Sequence, residues 1–502
     1  MHGPASSPDT HGFIARHGLW SDDRARRARD VLDRVEAEGL HLIRLVWTDT
    51  HGVARARAVT PPAFAAALRN GHNIGAGSWS LDASGGRVFP SFVAGGGMGL
   101  PEMTGSPNLV VVPDPDTFRT LPWAPGIGWV ICDDYFRDGT PLHFSPRHLL
   151  RRTLARLAER GIEAVVGLEV EWYLLRLLDE TLGEENIGTG GERGRPARTA
   201  LLEPGFSYDS ETNLDRMQPM LSILARHYVA LGLDLRSVDN ELGASQVECT
   251  FMPQGALDAA ADYVLFRSAT RQICRRHGHL ASFMTFPGRR GLYPGGWHLH
   301  LSLVDAKTGA NLLTPEKAED HLSPLGRSFL AGQLDHAADG SAFATPTVNG
   351  YRRFRANSLA PARATWNTDH RGVMLRVQGG PGDPATRIEN RVGEPAANPY
   401  LFIAAQVAAG LDGLERGAEP WPADDNPYEA DRPMLPTSLE DALDALEGSA
   451  FFRQAFGDIY LDYFLRMKRA ELARYEAFLA ETGADPAAGV TDWETNEYFD
   501  AF

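Results

Sequence analysis

EAVVGLEVEWYLL (163–175) alternates from Leu168 onward: Leu168, Val170 and Trp172 fall on one parity, Glu169 and Glu171 on the other. Residues two apart leave the same face of a strand, so this stretch predicts a strand with one apolar side and one side carrying two carboxylates. Three later stretches repeat the design. In NELGASQVECTF (240–251), Gln246 and Glu248 share a face, and Glu241 returns from the preceding loop. In GGWHLHLSL (295–303), His298, His300 and Ser302 share one. In TRIENRV (386–392) the sharing residues are Arg387, Glu389 and Arg391. Taken singly, each also fits an ordinary solvated strand face, since Glu and Arg are mostly exposed. Together, each backed by residues such as Val247, Leu299, Leu301 and Ile388, they predict polar faces turned toward one space.

Five glutamates and His298 in one space repel unless cations sit between them. Oxygen-rich donors suit hard divalent cations, Mg²⁺ or Mn²⁺, and a single His among carboxylates does not suit zinc. Arg353, Arg371, Arg376, Arg387 and Arg391 lie nearby in the chain. Lys occurs only at Lys307, Lys317 and Lys468, so 46 of the 49 basic residues are Arg and a lone Arg says little. Several Arg beside a metal cluster are the equipment for phosphoryl transfer, where metals and guanidinium groups neutralise charge on the moving group. No GxxxxGK[ST] loop is present, which excludes a P-loop nucleotide site.

Outward from these segments, residues 21–38 read as an exposed helix capped by Ser21, and residues 1–20 as a mobile arm. LIRLVWTD (42–49), a THG turn and VARARAVT (53–60) predict a hairpin. PAFAAALRN (62–70) reads as a short helix, and NLVVVPDP (108–115) and GIGWVICDD (126–134) as strands. That makes 39–134 a small α+β domain. Helices at 148–161, 214–233 and 257–278 then alternate with strands at 163–175, 244–252 and 295–305, giving a large second α+β domain over 135–502. The Gly- and charge-rich stretch 181–199 reads as a loop. Residues 1–38 stand apart as an arm and helix.

The chain of 502 residues is 43% hydrophobic and 23% charged, as soluble globular proteins are. Its net charge of −16 argues against nucleic acid and anionic membranes as partners. No apolar run is long enough to span a bilayer, and the N-terminus has no basic start followed by an apolar block. Cys132, Cys249 and Cys274 are odd in number and widely spaced, which fits a reducing compartment. A cytoplasmic location is the expectation.

At this point the chain resembles the glutamine synthetase superfamily over about 40–480. GLEVEWY resembles its paired-Glu strand, NELGASQVE its E…GQ.E element and GGWHLHLSL its HxHxSL strand. TPTVNGYRRF (345–354), RGVMLRV (371–377) and RIENRVGEPAANPYL (387–401) resemble its glutamate and nucleotide elements, in order and at suitable spacing. LPTSLEDALDALEGS (435–449) is similar to its C-terminal helix region. The resemblance implies a β-grasp domain before a larger catalytic domain, and stacked rings, commonly homododecamers, with active sites between subunits. It implies one metal on Glu171, Glu241 and Glu248, and a second on Glu169, His298 and Glu389. Arg353, Arg391 and the Gly295 loop bind glutamate. Arg371, Arg376 and Arg387 neutralise the ATP phosphates, with His300 and Ser302 near the substrates; Arg371 and Glu389 serve the chemistry directly. The implied reaction is ATP-dependent ligation of the glutamate γ-carboxylate to an amine through γ-glutamyl phosphate.

Two departures bear on the amine. Glutamine synthetases carry an acidic flap residue after the YRR/YKR element, where this chain has Leu359 in YRRFRANSLAPARATW (351–366). They also carry an Asp in an N-terminal FDGSS-like motif, where IGAGSWSL (74–81) offers Ala76. A small cation needs charge or several acceptors to replace its water, so this pattern disfavours ammonium. Trp79 and Trp366, in the altered loops, are candidate walls for an organic amine or ordinary packing residues. No carboxylates suited to a polyamine stand in these loops. An arylamine such as aniline is already neutral and needs no acid, so an aromatic or apolar amine is the expectation. A third departure, YPGGWH (293–298) in place of an Asn-Gly pair before the His, touches the glutamate loop. Tyr428, near the place where some relatives are adenylylated, reads as a surface residue. Three rival readings stand: a glutamine synthetase using ammonia, a non-catalytic relative in a structural or binding role, and a kinase of a guanidino substrate. Retention of all six ligand candidates disfavours the second, and the N-terminal domain disfavours the third.

Overall fold

The computed structural model describes residues 12–179, 181–289, 291–317, 320–354 and 359–502. The chain divides into two compact units: Met1–Ser80 with Phe89–His148, and Leu81–Val88 with Leu149–Phe502. The first begins with α1 (Phe13–Arg16) and α2 (Asp22–Ala37). The arm expected over 1–20 is corrected from residue 12 onward, residues 1–11 lying outside the described ones. Phe13 and Ile14 are buried with Val110, Val112 and Tyr135, and Leu19 and Trp20 pack on the same cluster. A single helical turn with two adjacent apolar residues gives no periodicity to read, yet it buries enough apolar surface to dock. α2 starts at the expected cap: the Ser21 hydroxyl accepts from the Arg24 N–H at 3.3 Å. Asp22 and Asp23 occupy its first turn, where the helix dipole favours negative charge.

β1 (Leu42–Thr48) and β2 (Ala54–Val59) form the expected hairpin. α3 (Pro61–Asn70), β3 (His72–Gly75), β4 (Asn108–Pro113), β5 (Arg119–Thr120) and β6 (Ile127–Tyr135) follow. The sheet runs β2-β1-β6-β4-β3, with β1 parallel to β6 and the other neighbours antiparallel. A parallel central pair made by the first and last long strands is the β-grasp arrangement. Its core holds Ile43, Leu45, Phe64, Val111 and Val130, all without solvent exposure.

The division between units falls inside α4 (Pro146–Ala158). The second unit continues with β7 (Ile162–Leu177), β8 (Thr199–Ala200), α5 (Glu211–Leu231), β9 (Leu235–Asn240), β10 (Gln246–Phe251) and β11 (Gln254–Gly255). Next come α6 (Ala256–Arg276), β12 (His279–Ser282), β13 (Trp297–Asp305), α7 (Pro324–Asp335) and α8 (Ser341–Ala344). β14 (Trp366–Thr368), β15 (Leu375–Gln378), β16 (Arg387–Asn390) and α9 (Pro399–Arg416) complete the sheet and its backing. The C-terminal helices are α10 (Leu439–Glu447), α11 (Ala450–Phe456), α12 (Asp458–Thr482) and α13 (Asp492–Tyr498).

The main path of the sheet is β14-β15-β16-β13-β7-β10-β9, and β7, 16 residues long, also pairs β8, β11 and β12. The apolar parity read from 163–175 faces the helical side. Trp172 stacks on Phe283 at 5.9 Å, and Trp297 of β13 stacks on Tyr263 of α6 at 4.2 Å. Behind them α7 crosses α9 at Gly332 and Gly413, where a Cβ at Gly332 would stand 2.1 Å from the Ala409 carbonyl oxygen. Cys132, Cys249 and Cys274 are free and buried. Among the described residues no helix is long and apolar enough to cross a membrane.

Phe13→Ala tests the docked N-terminal turn. It should cost about 3 kcal/mol, the range for emptying a buried Phe site. The measurement is the unfolding midpoint at fixed protein concentration, and a cost under about 0.5 kcal/mol would return this turn to a loose arm.

Candidate active site

The polar parity of the second sheet opens on a cavity of about 870 Å³. Strand register explains why one space collects residues from four distant segments. Glu248 of β10 stands opposite Glu171 of β7, and Glu169 of β7 opposite His298 of β13. One row further, His300 of β13 stands opposite Glu389 of β16, which stands opposite Arg376 of β15. Directly opposed side chains in antiparallel pairs lie within about 5 Å at Cβ, so the register alone builds the cluster. Glu241, just before β10, also lines the cavity, as the sequence reading expected.

The cluster divides into carboxylates with cationic or imidazole partners and carboxylates without. His298 Nδ1–H donates to Glu169 at 2.5 Å and His300 Nε2–H donates to it at 2.9 Å. Burial pushes the Glu169 carboxyl up, but the two imidazoles outweigh it and hold Glu169 well below the usual carboxylate range. Glu389, fully buried, accepts from Arg376 at 3.1 Å and from Arg391. Burial again pushes up, and Arg391 with the two imidazoles holds Glu389 below its ordinary value. Glu171, Glu241 and Glu248 are all raised, by burial first and then by neighbouring carboxylates: Glu241 and Glu169 act on Glu171, Glu169 with Asp209 and Asp239 on Glu241, and Glu169, Glu171 and Glu241 on Glu248. Glu248 is pushed up to about 10. Among the described residues no cationic side chain reaches ion-pairing distance of Glu241 or Glu248.

Carboxylates driven toward protonation by burial and mutual repulsion are what a bound divalent cation relieves, and the oxygen-rich donors fit Mg²⁺ or Mn²⁺. Donor atoms of Glu169, His300 and Glu389 lie within 4.8 Å of one another, as do those of Glu169, Glu248 and His298. This grouping differs from the one implied by the resemblance. Glu169 belongs to both sets and His300 enters one. Glu171 turns instead to the Gln246 amide, which donates to it at 2.8 Å, and Glu241 accepts from the Leu242 N–H at 3.1 Å.

Arg353 and Arg391 are both buried and line the cavity with Gly295. Burial pushes the Arg353 guanidinium down to about 10, with Glu394 and Glu171 pulling the other way. Glu394, absent from the sequence-based candidates, is fully buried and accepts from the Thr347 N–H and hydroxyl, both at 2.8 Å, and from Thr285. It reads as a loop residue in sequence, and only packing brings it beside Arg353. Gly296 was also missed. A Cβ there would stand 2.9 Å from His298 Nε2 and 3.4 Å from Arg353 and Glu171, whereas one at Gly295 meets nothing closer than 3.6 Å.

The residues expected to serve the nucleotide, Arg371, Arg376, Arg387, His300 and Ser302, all line the cavity. Arg387 Nε donates to His300 Nδ1 at 3.1 Å, and Ser302 donates to the Thr386 carbonyl at 2.9 Å. Arg371 lies against the Tyr208 hydroxyl, whose hydrogen bond raises its pKa further. Tyr208 and Arg236 line the same cavity and were not anticipated. Tyr208 sits between left-handed Phe206 and Asp209, φ 54° and 56°, with no motif around it. Arg236 is a single Arg in an Arg-rich chain.

The four amine-site candidates separate. Leu359 lines the cavity, 53% exposed and at φ 62°. Residues 355–358 of its stretch lie outside the described ones. Trp366 is not a cavity residue: it is buried in β14 and its indole N–H donates to the Trp421 carbonyl at 2.7 Å. Ala76 and Trp79 lie buried in a 3₁₀ turn (Ala76–Ser80) of the first unit. Among the described residues the carboxylates lining the cavity are Glu169, Glu171, Glu241 and Glu248. Tyr428, read as a surface residue, is half-buried with its hydroxyl against the Leu359 backbone.

Residues 143–494 match the family profile described as "Glutamine synthetase, catalytic domain". The chain is 41% identical to a gamma-glutamylanilide synthase from an Acinetobacter species over 492 residues, 97% of this chain and 98% of that one. It is 33% identical to a gamma-glutamylethanolamide synthetase from Streptomyces coelicolor over 391 residues, 77% of this chain and 78% of that one. Among solved structures, GmaS in complex with ADP aligns with a TM-score of 0.72 at 28% identity, covering 92% of this chain and 99% of that one.

Gly296→Ala should leave the protein folded and lower kcat/KM about 100-fold, because the new methyl displaces His298; steady-state kinetics beside a thermal melt reads both. The raised carboxylates set a pH dependence. Glu248 titrates near its ordinary 4.5 when unfolded and at about 10 when folded. Its stabilising contribution is therefore complete below pH 4.5 and is lost as pH rises toward 10. Metal-free protein in chelator should lose thermal stability across that window, and saturating Mg²⁺ should flatten the loss.

Proposed function

The chain belongs to the glutamine synthetase family, and we propose that this member joins the γ-carboxylate of glutamate to a neutral apolar or aromatic amine, aniline being the type case, at the expense of ATP. One observation carries the choice of amine. Among the described residues every carboxylate lining the cavity is a metal-ligand candidate, and the position where an ammonium-binding acid is expected presents Leu359. The similarity to a gamma-glutamylanilide synthase supports the same reading.

The enzyme is an ATP-dependent carbon–nitrogen ligase. Arg353 and Arg391, buried cations beside the Gly295–Gly296 loop, hold the glutamate carboxylate. Glu169, Glu171, Glu241, Glu248, His298 and Glu389 would hold divalent cations, with His300 bridging from Glu169 to Arg387. When bound, those cations neutralise charge on the ATP phosphates and on the γ-phosphoryl group in transfer. Arg371, Arg376 and Arg387 supply the same neutralisation from the protein, and Glu389 orients Arg376 and Arg391. The γ-carboxylate oxygen attacks the γ-phosphorus, the bond to ADP breaks, and γ-glutamyl phosphate forms. A carboxylate offers an amine no leaving group; the acyl phosphate offers phosphate. The amine lone pair attacks the acyl carbon, phosphate departs with the electrons of the broken C–O bond, and the surplus amine proton leaves with it. A neutral arylamine presents its lone pair without first losing a proton, so no acid is needed where Leu359 stands. Ring assembly, commonly a dodecamer in the resemblance, belongs to the same proposal, with active sites between subunits; Ala76 and Trp79, buried in their own unit, would act there only through the turn they hold.

Phosphate release with Mg²⁺, ATP and glutamate, compared across aniline, isopropylamine, ethanolamine, putrescine and ammonium, tests the reading. Aniline or isopropylamine should exceed ammonium in kcat/KM by at least about tenfold, and Leu359→Glu should narrow that ratio by at least as much. Ammonium as the best substrate of the unaltered enzyme would make it a glutamine synthetase in the strict sense.

A further inference from the structure

A second cavity, about 850 Å³, lies in the same unit and shares no lining residue with the catalytic one. Three elements bring cationic side chains to it. Arg176 comes from the end of β7, Arg216 from the second turn of α5 and Arg275 from the last turn of α6, with His277 in the connection to β12 and His279 at its first position. The three guanidinium groups are exposed, and among the described residues none of them makes a hydrogen bond or an ion pair. Among the described residues the only acid lining this groove is Asp179, already held by the Arg198 N–H at 2.7 Å and Nε at 2.8 Å. In a chain of net charge −16, three unshared guanidinium groups around one groove stand out as a local reversal of sign.

The groove is not polar throughout. Met217 and Met220, almost fully buried in α5, form its floor, and Leu177 and Leu202 add apolar wall. Methionine adapts to aromatic and acyl shapes, and the volume is that of a small-molecule site. His279 is held by the His277 carbonyl at 2.7 Å. Burial and Arg176 both lower its pKa, as expected where positive charge is crowded and uncompensated. Guanidinium groups pair carboxylate and phosphate oxygens in a planar fork, and such pairs outrank neutral hydrogen bonds.

We infer that this groove is a second ligand site that takes an organic anion with an apolar body, a carboxylate or phosphate monoester seated on Arg176, Arg216 and Arg275 with its aryl or acyl part on Met217 and Met220. The site is independent of the amine reading, since no residue serves both.

Isothermal titration of the full chain with phenyl phosphate, benzoate and inorganic phosphate tests it, with the Arg216→Gln/Arg275→Gln variant in parallel. Both substitutions are on the surface, so the variant should fold and turn over as the parent does. Phenyl phosphate or benzoate should bind the parent and bind the variant at least about tenfold more weakly. Inorganic phosphate, lacking the apolar body, should bind the parent at least about tenfold more weakly than phenyl phosphate. Equal binding of the aryl anions to parent and variant, or no binding at millimolar concentration, overturns the site. Inorganic phosphate binding as tightly as phenyl phosphate overturns the apolar half of the assignment.

Discussion

Containment of negative charge on one face of a sheet is the constraint on which the rest of this structure depends. Glu169, Glu171, Glu241, Glu248 and Glu389 are brought within reach of one another by strand register, and buried carboxylates at such spacing cannot all ionise unaided. Each partner follows from that problem. Two imidazoles donate to Glu169, and two guanidinium groups donate to Glu389. Glu171, Glu241 and Glu248 are left with raised pKa values, which makes them the candidates to accept divalent cations. The charge is costly to hold, and it is useful because the chemistry to be done also moves negative charge.

Holding it requires a rigid back. The face of β7 and β13 opposite the cavity is clamped by Trp172 on Phe283 and Trp297 on Tyr263, and α6 and α9 close over it. Ligand candidates that alternate with large buried aromatics cannot shift independently of the core, so their geometry is set before any substrate arrives. Gly296 shows how little slack remains: one methyl there would press on His298, Arg353 and Glu171 together.

The selectivity proposed for the amine rests on what is withheld. Among the described residues every carboxylate lining the cavity is a metal-ligand candidate, and Leu359 lines it without charge. An ammonium ion entering this space would exchange water for an apolar wall, whereas a neutral arylamine gains from the same wall.

Period-two alternation in four stretches determined the second sheet, the face on which the charge lies, and the identity of the cluster, because side-chain direction in a strand is a local property. The hairpin, the helix cap at Ser21 and the small α+β domain were equally local. Only the tertiary structure decided which carboxylates stand near which, since register joins residues as far apart as Glu169 and Glu389 and no single stretch encodes it. It alone placed Glu394 beside Arg353, Tyr208 beside Arg371 and Arg236 in the wall, residues with no motif around them. It also separated Leu359, which faces the cavity, from Trp366, which is spent on packing against the Trp421 backbone. It docked Phe13 and Ile14 where no periodicity could be read. The physical reason is the same in each case: the face a side chain takes is a short-range matter of backbone geometry, while its neighbours are chosen by the long-range pairing of strands and helices.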